Sequence, residues 1–146
     1  MKNDFLEYLK KLGMSSPFQE RVKQILEFYM TCCGIDAKDI FISDYIDSEG
    51  KRLYESLWLF TEDFVCEAKQ FLTQDIFDAM PIKNNFLRWE IQKTEYDFKH
   101  TYPKSRLTVS IYFGENIAGN LKASGDNCDD LRNIFRKYIL PNIYKS

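Results

Sequence analysis

The chain has 146 residues, enough for one domain with its own core, and 45% of them are hydrophobic, which excludes a disordered chain. The formal net charge is only −2. Acidic residues prevail over 38–100 and basic residues over 101–146, and no segment is basic enough to read as a nucleic-acid footprint.

No apolar run approaches the ~20 residues a membrane-spanning helix needs. Asp4, Glu7, Lys10 and Lys11 stand where a secretory signal needs an unbroken apolar segment. A soluble, cytoplasmic protein is therefore expected. Cys32, Cys33, Cys66 and Cys128 show no CxxC spacing, which favours free thiols over a disulfide framework.

Phe5, Tyr8, Leu9 and Leu12 have helical spacing, with Gly13 as a stop. In Ser16-Pro17-Phe18-Gln19, Ser16 is expected to cap a second helix, Pro17 to take its first position and Gln19 to complete a capping box. Val22, Ile25, Leu26, Tyr29 and Cys33 form its stripe, and Gly34 ends it. From Asp39 the period changes. Ile40, Phe41, Ile42 and Tyr45 read as a first strand. Ser48-Glu49-Gly50-Lys51 turns the chain into a second strand over Leu53 to Thr61. Leu57-Trp58-Leu59-Phe60 within it is apolar on both faces, which a one-sided sheet does not require. The helix pair is expected to cover the outer face there, near Trp58 and Phe60.

Phe64 to Leu72 reads as strand three and Ile76 to Ile82 as strand four. Strand five starts at Phe86, with Leu87, Trp89 and Ile91 on one face and Arg88, Glu90 and Gln92 on the other, and its pattern extends toward Tyr96 or Phe98. Lys99 to Lys104 is a loop. Strand six covers Arg106 to Phe113, Gly114-Glu115-Asn116 turns, and strand seven follows with Ile117, Gly119, Leu121 and Ala123 on one face. Asp126 or Asn127 can cap the last helix, whose apolar face is Leu131, Ile134, Phe135, Tyr138 and Ile139. Pro141 ends it.

The fold class is thus α+β, a single domain over 1–146. Residues 1–36 form a helix pair. Residues 38–146 form about seven antiparallel strands closed by a short helix. That order, with Leu57-Trp58-Leu59-Phe60-Thr61 leading into Phe64 and its strand, and with the Leu131/Ile134/Phe135/Tyr138 helix, resembles the pleckstrin-homology-like barrel. The resemblance is one of fold and lies in residues 38 to 141. An α+β sheet open at one edge, with all three helices on one face, is the competing architecture. The lipid-cavity fold of the plant-allergen type needs a strand before the helix pair and a longer last helix, and this chain has neither.

Lys51 and Arg52 lie in the turn where pleckstrin-homology domains hold basic residues for phosphoinositide headgroups. The resemblance therefore marks them as a candidate anionic-headgroup site. A solvated turn is the competing reading, because Asp47 and Glu49 share it. His100, the one histidine, sits in a polar loop without a nucleophile or an orienting partner in its pattern. Adjacent cysteines on a helix project about 100° apart, so Cys32 and Cys33 are poor joint metal ligands, and one of them is expected to pack inward. Asp44, Asp47, Glu49, Glu62, Asp63, Asp75 and Asp78 are scattered over turns and strand ends with no paired spacing. Nothing points to a cofactor or a metal.

The expectation is a non-catalytic interaction module that binds a protein or peptide, or a second copy of itself, at a sheet edge beside the last helix. Anionic-headgroup binding, with peripheral membrane contact, is the first alternative. An enzyme of unrecognised type is the second. Tyr45, Tyr54, Tyr96, Tyr102, Tyr112 and Tyr144 are the aromatic residues to test for exposure at an interface.

Overall fold

Glycines at positive φ end the first two helices, where a Cβ would be strained: Gly13 (φ 76°) follows α1, Asn3–Lys11, and Gly34 (φ 67°) follows α2, Ser16–Cys33. The computed structural model describes residues 1–83, 88–94, 105–113 and 116–143. His100, Tyr96, Tyr102, Tyr144, the Phe86 start of strand five and its extension to Phe98 lie outside these residues. Seven strands follow the helices: β1 Asp39–Ile46, β2 Arg52–Phe60, β3 Phe64–Lys69, β4 Ile76–Pro81, β5 Arg88–Thr94, β6 Arg106–Phe113 and β7 Asn116–Ser124. The last helix, α3, Asn127–Ile134, continues through a π-helical turn, Phe135–Ile139, and a short 3-10 turn, Leu140–Asn142.

The strands form two antiparallel meanders, β1-β2-β3-β4 and β5-β6-β7. No ladder joins the sheets among the described residues, so the hydrogen-bonded barrel is not closed there. The two sheets approach each other at the β1/β7 corner. There the backbone N–H of Lys122 and of Ser124 donate to Ser43 Oγ (3.3 Å) and Asp44 Oδ1 (2.9 Å).

Both faces of β2 are buried over Ser56 to Phe60 because each has a cover there. The helix pair covers the face that carries Leu57 and Leu59. Phe5, Leu9, Val22, Ile25 and Tyr29 pack there against Ile40, Ile42, Cys66 and Phe71. Trp58 and Phe60 point the other way, into the layer between the sheets, with Phe41, Val65, Val109, Ile111, Leu121 and Leu131. This corrects the expected placement of the helix pair near Trp58 and Phe60. Residues that alternate cannot share a cover, so with the helix pair on Leu57 and Leu59, Trp58 and Phe60 face the other layer. Each fully buried side chain of this size contributes about 1.5–3 kcal/mol.

Two irregularities set the details. A bulge in β1 shifts its register between Ile42 and Asp44 and leaves Ser43 to accept the Trp58 indole N–H at 3.0 Å. A second shift in the β6–β7 ladder pairs Ile111 with Gly119 but Tyr112 with Ile117. It turns Ile117 out to solvent, away from the expected face, while Leu121 and Ala123 stay buried. Gly119 lies under Trp58, and a Cβ there would meet the indole at 2.5 Å. β3 stops at Lys69 rather than Leu72 because Gln70 takes positive φ (47°), and Phe71 then turns into the helix-side core.

The expected caps are also corrected. Ser15, not Ser16, holds the N-cap of α2, and Gln19 Nε2 donates to the Met14 carbonyl instead of completing a box. Neither Asp126 nor Asn127 caps α3 with its side chain, because stronger partners on β1, α1 and β2 take both.

Candidate functional site

β5 carries the sequence Arg-Trp-Glu-Ile-Gln-Lys-Thr and, among the described residues, pairs with β6 alone, which leaves it at the edge of the described sheet. Register places Trp89, Ile91 and Lys93 opposite Ile111, Val109 and Leu107, all on the core-facing side. In β6 those core-side residues are buried, because β7 and α3 cover them. On β5 the cover runs out: Trp89 is 39% exposed and Ile91 41%. The π-helical turn after α3 sets Phe135 beside them, its ring nearly perpendicular to the Trp89 indole at 5.0 Å between centroids.

Between β5 and the last helix lies a groove of about 350 Å³. Ile91 and Phe135 form its walls, with Leu107 and Val109 beneath, and Lys93, Arg132 and Arg136 stand at its rim. None of its described lining residues is acidic. Arg132 holds an exposed pair with Asp129 (2.7 Å), and Arg136 donates to the neutral Asn133 Oδ1 (3.1 Å). One neighbouring concavity is charge-compensated. Around Lys38, Lys83 and Lys137 the ammonium groups pair with Glu62, Asp63 and Asp39.

Lys51 and Arg52 part company in the structure. Lys51 is exposed in a turn organised by Asp47, whose Oδ1 accepts from the N–H of Glu49 and of Lys51 at 2.9 Å each. Arg52 turns inward, its side chain 16% exposed. Its Nη2 donates to Asp126 Oδ1 at 2.7 Å, and its Nε lies 3.3 Å from Asp44 Oδ2. That bond holds the Asp126 carboxyl below the usual carboxylate range, while burial raises Asp44.

Asp44 belongs to a buried polar cluster that the sequence does not announce. The Ile42 N–H donates to Tyr8 Oη (3.0 Å), which donates to Asn127 Oδ1 (2.7 Å). Asn127 Nδ2 donates to the Ile42 carbonyl and to Asp44 Oδ1, both at 2.8 Å. Burial pushes the Tyr8 phenol well up. The cluster ties α1, β1 and the start of α3 together and so fixes the helix that walls the groove.

The scattered carboxylates are mostly spent in ion pairs: Glu62 with Lys38, Asp63 with Lys83, Asp75 with Arg21, Asp78 with Lys69. Cys32 and Cys33 are both exposed, so neither packs inward; Cys66 is buried, and burial pushes its thiol up to about 12. Of the tyrosines singled out, Tyr45 is exposed, Tyr54 half-buried and Tyr112 buried. The alternation of Trp89 and Ile91 with charged residues was visible in the sequence. Their exposure was not, since it depends on where α3 ends.

Among the described residues no helix is long and apolar enough to cross a membrane. Comparison with protein-family models, with curated proteins and with solved structures gives no match.

Proposed function

We propose that the chain is a non-catalytic interaction module that receives an extended segment of a protein partner along the edge of β5 that no strand pairs among the described residues, beside α3. One observation carries this reading. Large apolar side chains, Trp89 and Ile91, remain exposed on a strand that pairs with β6 alone among the described residues, and Ile91 opens into an apolar groove beside them. An added strand gains main-chain hydrogen bonds along β5 and buries alternate side chains in that groove. Buried groups whose protonation burial shifts, such as Tyr8, Tyr29 and Cys66, lie elsewhere and serve hydrogen bonds or packing, which supports binding rather than catalysis.

The order of four strands, three strands and a closing helix supports a pleckstrin-homology-like architecture, with the helix pair as an addition. The free thiols support a reducing, cytoplasmic setting. The experiment is selection of random displayed peptides on the full chain, repeated on Ile91→Glu. Enriched peptides should bind the parent with micromolar affinity and lose binding to the variant. Peptides that bind both equally would overturn the reading.

A further inference from the structure

We infer that the partner segment is acidic as well as apolar: a strand with bulky apolar side chains on alternate positions, followed on the same face by carboxylates. The inference rests on the groove reading above and adds the partner's chemistry to it. The core-side residues of β5 change character along the strand, from Trp89 and Ile91 to Lys93. An added strand places its side chains directly beside these, about 6.6 Å apart on one face. Apolar side chains therefore sit beside Trp89, Ile91 and Phe135. The next side chain on that face comes to Lys93 and to the two arginines on the rim.

Arg132 on α3 and Arg136 on the π-helical turn that continues it lie about one helical turn apart, and both line the groove. Their present partners hold them weakly. The Asp129 carboxylate is 82% exposed, and an exposed pair of this kind is worth little. Asn133 is neutral. A carboxylate on the partner offers each guanidinium a charge-assisted, two-pronged bond instead. With both arginines on the rim and no acidic residue among the described lining, a basic segment meets repulsion and an acidic one is drawn in.

The test sequences the peptides selected on the full chain, each about as long as the seven residues of β5. It then compares affinities for the parent, Ile91→Glu and the double variant Arg132→Glu/Arg136→Glu. Both arginines are exposed, so the double variant should melt with the parent. The expected result is enrichment of Asp and Glu next to apolar residues, with binding that falls as salt rises. Affinity for the double variant should drop about tenfold or more. Peptides that need Ile91 but carry no acidic bias, or that bind the double variant unchanged, overturn this inference and leave the groove reading standing. Peptides indifferent to Ile91→Glu, or no enrichment over the bare support, overturn both. A concentration-dependent dimer that Ile91→Glu dissociates would make a second copy the occupant and also overturn it.

Discussion

Asn127→Ala removes three hydrogen bonds from a site with no access to water. Asn127 is fully buried; its amide donates to the Ile42 carbonyl and to Asp44 Oδ1, and its oxygen accepts from Tyr8. Asp44 Oδ1 keeps the Ser124 N–H, but the Tyr8 hydroxyl loses its acceptor and the Ile42 carbonyl loses this donor. A buried polar group left without a partner costs about 1–3 kcal/mol. The expected loss is therefore about 3–5 kcal/mol, a large part of the ~5–15 kcal/mol that holds a domain of this kind together. Urea unfolding measures it, with an expected fall in midpoint of about 2 M at an unchanged slope. Tyr8→Phe should overlap with it, because the two side chains share one bond, giving a coupling of about 1 kcal/mol or more in a double-mutant cycle. A loss below ~1 kcal/mol, or additivity within ~0.5 kcal/mol, would refute the claim that this cluster joins α1 to α3.

Gly119→Ala places a methyl 2.5 Å from the Trp58 indole and should cost about 1–3 kcal/mol, with a changed near-ultraviolet dichroism signal; unchanged melting would contradict the packing of that ring. Arg52→Ala should destabilise by about 3 kcal/mol because it leaves Asp44 buried without its cation, whereas Lys51→Ala should leave melting unchanged. Neither should alter sedimentation with anionic liposomes, and salt-sensitive binding lost in the double variant would restore the headgroup reading. Burial raises the Glu67 carboxyl above its unfolded value, so its contribution is fully present below the unfolded pKa and is lost as pH rises through the folded one. Glu67→Gln should therefore gain stability relative to the parent as pH rises from the acid side of the carboxylate range, and a constant difference across that range would refute the assignment. A chain beginning at Ala37 should aggregate or melt far lower, since it uncovers Ile40, Ile42, Leu57, Leu59 and Phe71 together.

How far the sequence could be read depended on the range of the interactions involved. Period-two alternation marked β5, β6 and β7, turns bounded the first four strands, and the both-faced apolar run at Leu57–Phe60 implied a cover on each side of β2. Which cover meets which face was misread, because that depends on the direction in which the chain leaves α2. The caps were misread for a related reason. Asp126 and Asn127 satisfy the local rule for an N-cap, but Arg52, Asp44 and Tyr8 are distant in sequence and bind them more strongly. The bulge that exposes Ile117 leaves no mark in a simple alternation pattern. The groove was half legible: its wall residues showed their faces, but an edge is a property of the whole sheet. Lys51 and Arg52 were drawn together by adjacency, and a carboxylate on each of two other elements separated them.

The most direct measurement is amide hydrogen exchange of the full chain with and without a peptide selected on it. Strand addition predicts that N–H groups within Arg88–Thr94 that point away from β6 become protected, and that the exposed Trp89 indole shifts its fluorescence while the buried Trp58 does not. Protection confined to other elements, with β5 exchanging as before, would contradict the account.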